Sequence, residues 1–148
     1  MRGTRTQARS FALQLLYQAE ISETADLTSA GLCWQEQPPT GEARTYADAL
    51  VAATVANLAE IDARLSHNLE RWKLARLSVV VRNLLRMAVC EMIVMGEVPF
   101  QVVINEAVEL ARGFSDEASA KFVNSVLEKC WVNAADEPHY RPATGGND

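Results

Sequence analysis

VPFQVVINEAVELARGFSDEASAKFVNSVLEKC, residues 98–130, is the stretch from which the fold is read. It parses as two helices joined by a short polar turn. Pro99 can open the first, because the first turn of a helix has no use for the N–H that proline lacks. Val103, Ile104, Ala107, Val108, Ala111 and Phe114 then recur at helical spacing. Gly113-Phe114-Ser115-Asp116 breaks the pattern, and Ser115 or Asp116 can cap the second helix. That helix, expected over 117–133, buries Phe122, Val123, Val126, Leu127, Cys130 and Trp131. Asn105, Glu106, Lys121 and Asn124 are polar residues that helix packing alone does not require.

Upstream, Ser78 is a plausible N-cap for a helix from Val79 to Met95 that is hydrophobic on almost every side. Such a helix is central, covered on more than one face. Arg82, Asn83, Arg86 and Glu91 interrupt it. An arginine buried without a carboxylate costs several kcal/mol, on the order of 3–5. Glu106 interrupts an inward stripe and is the expected partner of Arg86. Glu91, five residues on, points about 140° away. The Arg86–Glu106 pair is therefore expected to be structural, fixing how the two helices meet.

Earlier still, Tyr46, Leu50, Ala53, Val55, Leu58, Ile61 and Leu65 form a stripe from Glu42 to Leu69 that fits one long helix or two shorter ones. Residues 22–41 read as a connection, with a short helix over 26–34 and a break at Pro38-Pro39-Thr40-Gly41. Ala8, Phe11, Ala12, Leu15, Leu16 and Ala19 predict a first helix from Thr6 to about Ile21, preceded by a flexible basic arm over 1–5. Residues 133–148 lack apolar periodicity and are expected to be a disordered tail. Residues 1–132 then make one all-helical domain, and no internal repeat suggests a solenoid.

The composition excludes several functions. No apolar run approaches the ~20 residues of a membrane helix, and no h-region follows the N-terminal charges, so a cytoplasmic location is expected. Cys33, Cys90 and Cys130 form no CxxC pair and only two histidines are present, so neither disulfide nor metal is expected. There is no glycine-rich phosphate loop and no GxSxG elbow. Glu106 and Glu109 imitate a carboxylate pair without a second pair to support a metal. No catalytic residue and no cofactor are expected. The net charge of −5 argues against binding nucleic acid over the whole surface. Its distribution is uneven: Arg2, Arg5 and Arg9 precede the first acidic residue, Glu20. Those arginines recur at spacings of three and four, with Tyr17 two turns beyond Arg9 on nearly the same face. A ring near a basic row can stack on an unpaired base while the arginines hold phosphate. It can equally pack into the bundle with its hydroxyl at the surface.

The 98–127 stretch resembles the C-terminal signature of the NusB family, bacterial transcription antitermination factors: Val-Pro, then INEAVELAR, then FVNSVL. Leu85, Arg86, Ala88 and Glu91 match a second element, Leu-Arg-x-Ala-x-x-Glu, and Ala12, Leu13, Leu16 and Tyr17 match the N-terminal pattern more loosely. The likeness covers about residues 5 to 132. It implies six or seven helices in two small bundles sharing the central helix. It also implies antitermination during ribosomal RNA transcription, through binding of boxA RNA with the ribosomal protein NusE and delivery to RNA polymerase. By the same resemblance, Arg2, Arg5, Arg9, Tyr17, Lys121 and Phe122 would contact RNA, with α-helix 117–133 lying beside the first helix to form one surface. Val80, Val81 and Leu84 would meet NusE. Thr6 and Gln7 interrupt an arm that the family often fills with arginine. Val81 and Cys90 stand where the family commonly has an acidic residue and an aromatic, which implies a more hydrophobic partner contact. An interaction or self-association module with little RNA affinity is the alternative, and the sequence leaves monomer and homodimer open. The other relative of this kind, an RNA-targeting domain fused to an RNA cytosine methyltransferase, would need a catalytic domain beyond these residues.

Overall fold

The computed structural model describes residues 3–24 and 37–135. Arg2, the short helix expected over 26–34, Cys33 and the tail beyond 135 lie outside the described residues. Helix α1 spans Thr4–Thr24. It begins two residues earlier than the periodicity suggests, so Arg5 is helical and not part of a flexible arm. The stripe from Glu42 to Leu69 is two helices, α2 (Gly41–Ala56) and α3 (Leu58–Asn68). Asn57 separates them with φ −115° and ψ 24°, and its side-chain amide donates back to the Ala53 carbonyl at 2.8 Å. An asparagine that satisfies the backbone locally is well suited to such a break.

The central helix, α4 (Val79–Val89), starts as expected, with Ser78 Oγ accepting from the Val81 N–H at 3.2 Å. It continues through Cys90–Met95 in wider π-helical turns, where the Gly96 N–H reaches back five residues to the Glu91 carbonyl at 3.2 Å. Gly96 ends the run at φ 66°, a left-handed conformation that glycine adopts without a Cβ penalty. Pro99 precedes α5 (Phe100–Phe114), and its carbonyl accepts from Val102 and Val103. Asp116, not Ser115, caps α6 (Glu117–Ala135), its Oδ1 accepting from the Ser119 N–H at 2.7 Å. Helix α6 thus extends to Ala135, so residues 133–135, expected at the start of the tail, are helical.

Helix α1 packs on α2 and α4, while α5 and α6 pack along each other; α6 also touches α3 and α4. Two small bundles therefore share α4, which supplies Leu84, Leu85, Met87, Val89 and, in its π-helical end, Met92 as fully buried side chains. Each such side chain contributes about 1.5–3 kcal/mol on burial. Phe100 and Trp131 stack at 4.5 Å and tie the start of α5 to the end of α6.

Arg86 is partnered by carboxylates, but not by Glu106. Its Nε and Nη2 donate to the two oxygens of Asp62 on α3 at 2.9 and 3.0 Å, and Nη1 donates to Glu20 on α1 at 3.2 Å. Glu106 instead accepts from Thr6 at 2.8 Å and from Arg9 at 3.3 Å. The reason is angular: α5 lies on the Glu91 side of α4, away from Arg86.

Arg9, expected at an RNA surface, is 4% exposed, and Glu91 is 1% exposed. Arg9 Nε donates to both Glu91 oxygens at 2.8 and 3.0 Å, and Nη2 donates to Oε2 at 2.7 Å. The Tyr46 hydroxyl from α2 donates to the same Oε2 at 2.5 Å. Burial disfavours the Arg9 cation, yet its bonds to Glu91 and the surrounding negative charge hold its pKa above the ordinary value. Removing one partner strands the other in the core. Arg9→Ala and Glu91→Ala should each lower unfolding free energy by about 3–5 kcal/mol in urea titrations. A loss below about 1 kcal/mol, the size of an exposed pair, would contradict the buried arrangement.

Candidate nucleic-acid and partner interface

Between α3 and α4 the chain from Leu69 to Ser78 is not α-helical; it forms one 3-10 turn, Leu74–Arg76. Arg82, one turn into α4, anchors it. Its Nη1 donates to the carbonyls of Leu77 at 2.7 Å, Leu74 at 3.3 Å and Ala75 at 3.4 Å. Its other nitrogens bond Glu20 near the end of α1. Asn83 adds a 2.9 Å donation to Glu20. The Arg82 side chain thus satisfies carbonyls that a short turn leaves over and holds the backbone on both sides of Arg76.

Trp72 and Arg76 line a groove of about 430 Å³ together with Leu77 and Val81 of the turn and α4 and Asp116, Ser119 and Phe122 at the start of α6. Trp72 is 56% exposed and meets the Phe122 ring edge-to-face, centroids 6.1 Å apart and planes at 78°. An exposed indole against a half-buried phenyl offers an apolar, aromatic wall with a polar rim. Arg71 and Lys73 are exposed on the same short segment as Arg76, and Lys121 is exposed next to Phe122 on α6. The sequence reading missed Trp72 and Arg76. Their signal was the run Arg71-Trp72-Lys73-Leu74-Ala75-Arg76, cations interleaved with an aromatic where helical periodicity lapses.

The expected residues do not converge on one surface. Arg2 lies outside the described residues, and Arg9 is buried. Arg5 is exposed, its guanidinium 4.1 Å from the centroid of the Tyr46 ring. Tyr17 is half-buried. Phe122 lines the groove and Lys121 stands beside it. Helices α1 and α6 make no substantial contact with each other; both pack on α4. Because Arg9 meets Glu91 while Glu20 meets Arg82, α1 runs antiparallel to α4. Arg5 is then about 22 Å from Glu20 along the axis, far from the groove end, where Tyr17 lies one turn before Glu20. Of the expected partner contacts, Val81 lines the groove and Val80 is half-buried. Leu84 is 0% exposed and cannot touch a partner, because its side of α4 faces the core.

Burial alone would raise the Glu20 pKa, but hydrogen bonds from Arg82 and Asn83 and the charges of Arg82 and Arg86 bring it below the ordinary 4.5. A depressed carboxylate contributes stability fully above its unfolded pKa and loses it as pH falls through the folded value. Chemical denaturation should therefore show a decline on acidification below 4.5. Glu20→Gln should be less stable than the native chain at neutral pH and should flatten that decline. An unchanged acid limb would dissociate Glu20 from the anchoring of the turn.

The NusB family profile matches residues 6–131. The transcription antitermination protein NusB of Bacillus mycoides (strain KBAB4) is 44% identical over 123 residues, spanning 83% of this chain and 93% of that protein. Its counterpart from Lysinibacillus sphaericus (strain C3-41) is 43% identical over 125 residues, 84% of this chain and 94% of that one. Among solved structures, T. maritima NusB matches with a TM-score of 0.73 at 34% identity, covering 88% of this chain and 92% of that chain. A chain in a crystal structure of antitermination factors NusB and NusE in complex with dsRNA matches with a TM-score of 0.72 at 27% identity, covering 90% and 99%. This chain belongs to the NusB family.

Proposed function

We propose that this protein is a transcription antitermination factor, without enzymatic activity of its own, that binds boxA-type single-stranded RNA together with the ribosomal protein NusE during ribosomal RNA transcription. In that role it joins the RNA polymerase antitermination complex. The observation that carries the reading is the likeness, over nearly the whole chain, to proteins named as transcription antitermination protein NusB. A matching chain solved with NusE and RNA supports the choice of partners.

The geometry supports a division of contacts. Single-stranded RNA is read by stacking and base edges, whereas phosphate contacts position it. Phe122 and Trp72 are the aromatic surfaces suited to an unpaired base, with Arg76 and Lys121 at hand for phosphate. Arg5 is the cation at the far end of α1, and a single strand bridging it to the groove follows α1, passing near Tyr17. Val80, half-buried on the first turn of α4, offers NusE an apolar contact, while Val81, 6% exposed, adds only its edge at the groove.

A titration of boxA-type RNA against the full chain, with and without NusE, tests this directly. Phe122→Ala and Trp72→Ala should each weaken binding by about 1–3 kcal/mol if a base stacks there. Arg5→Ala should weaken all RNA sequences alike and flatten the salt dependence by roughly 0.7 in log–log slope. NusE should raise the affinity. Absence of RNA binding by the unaltered chain in the presence of NusE would reject the reading.

A further inference from the structure

We propose that Tyr46 is a positioning residue for nucleic-acid binding: its ring carries the Arg5 guanidinium and holds it ready for a phosphate of the bound single strand. The inference rests on the functional reading above and concerns a residue outside the groove.

Arg5 sits on the first turn of α1 and Tyr46 on the second turn of α2, and the guanidinium carbon lies 4.1 Å from the ring centroid. A guanidinium over an aromatic face keeps its charge, and its N–H donors radiate at the edge, where phosphate oxygens are met bidentately. Its stem and head also lose less freedom on binding, because the ring already restricts them. Tyr46 is itself fixed. Its hydroxyl donates to Glu91 Oε2 at 2.5 Å, and Glu91 is locked to the buried Arg9. Donation to a carboxylate pushes electron density into the phenol ring, which strengthens the attraction of its face for a cation. Burial, then the Glu91 hydrogen bond, raises the Tyr46 pKa, so the hydroxyl remains a donor at neutral pH.

The space beside Arg5 is open: a depression of about 400 Å³ lies between the starts of α1 and α5, bordered by Arg5, Pro99 and Val102 and by two carboxylates, Glu97 and Glu106, the second already accepting from Thr6 and Arg9. The comparable stack of Arg44 over Phe11, at 5.1 Å, differs in one respect. Arg44 is already paired with Asp48 at 3.1 and 3.2 Å, so its donors are engaged by a carboxylate. Arg5 has no ion pair to another described residue.

The test is a double-mutant cycle on the full chain, read as the dissociation constant for a boxA-type single-stranded RNA oligonucleotide in the presence of NusE. Tyr46→Leu and Arg5→Ala should each weaken binding about fivefold, and the double variant should be no weaker than Arg5→Ala. Tyr46→Phe, which keeps the ring and drops the hydroxyl, should retain most of the affinity. Thermal melts establish that each variant is folded under the assay conditions. Arg5→Lys, at an exposed site where folding is not at risk, supplies an independent arm. It keeps the charge and loses the planar stack, so affinity should fall while the salt slope stays unchanged. Fully additive losses for Tyr46→Leu and Arg5→Ala, or native affinity in Arg5→Lys, overturn this inference while leaving the functional reading intact. No binding by the unaltered chain overturns both.

Discussion

A guanidinium and a carboxylate buried together, Arg9 and Glu91, set the position of everything on α1. Neither ion could occupy the interior alone, and the pair is tolerable because nearly every polar atom is used: Arg9 donates to Glu91 and Glu106, and Glu91 also accepts from Tyr46. The pair joins three helices, α1, α2 and the π-helical end of α4. A hydrophobic contact of equal area would hold them as firmly but would permit sliding. The bidentate geometry permits one register. Glu91 stands in the wide-turned segment Cys90–Met95, where the backbone departs from α-helical spacing to let Gly96 close on its carbonyl. Such a local departure re-aims side chains, and here the one concerned is the carboxylate on which the α1 docking turns.

The other end of α1 is tied down by a mirror arrangement. Near its start α1 gives a cation to an anion beyond the end of α4; near its own end it gives an anion, Glu20, to cations of α4, Arg82 and Arg86. Helix dipoles favour the reverse, acidic residues at the start and basic ones at the end. Indeed α1 has no acidic residue in its first turn and no basic one in its last. The local electrostatic preference, worth about 0.3–1 kcal/mol at each end, yields to two ion clusters that are partly or wholly desolvated. Together they fix direction as well as register, since reversing α1 would put like charges together at both ends.

That conflict explains how much of the molecule the sequence disclosed. Periodicity located α5 and α6, Pro99 and Ser78 marked the starts of α5 and α4, and the apolar character of 79–95 identified the central helix. These are local signals. The charged residues needed a tertiary answer. The three-and-four spacing of Arg5 and Arg9 suggests one exposed row, but spacing cannot say which flank of α1 meets Glu91, and one turn of the helix separates an exposed cation from a buried one. The pairing of Arg86 with Asp62 and Glu20 depends on which helices flank α4, information absent from α4 itself. Trp72 escaped because the segment around it has no period to read, and its neighbour across the chain, Phe122, lies on α6, 50 residues away.

Under the proposed function, the same ion pairs shape how an acidic domain would meet RNA. With a net charge of −5 the chain repels phosphate at long range. At physiological ionic strength, however, charges farther apart than about 8 Å are largely screened from one another, so the local balance decides. Arg9, Arg82 and Arg86 are held by carboxylates in or near the core, and Arg44 and Arg112 are held by carboxylates at the surface. Arg71, Lys73, Arg76 and Lys121 are exposed and have no ion pair to another described residue; Arg76 lines the groove, and the other three are within one residue of Trp72 or Phe122 in the chain. A handful of cations cannot release enough counterions to bind RNA tightly. Aromatic stacking adds affinity without adding salt dependence. A protein built this way gains most from a second protein that contributes its own contacts to the same strand, because two modest affinities multiply when their sites are held together. Sparse charge and an exposed aromatic groove are thus two sides of one arrangement, which under the proposed function suits a domain that binds RNA as half of a pair.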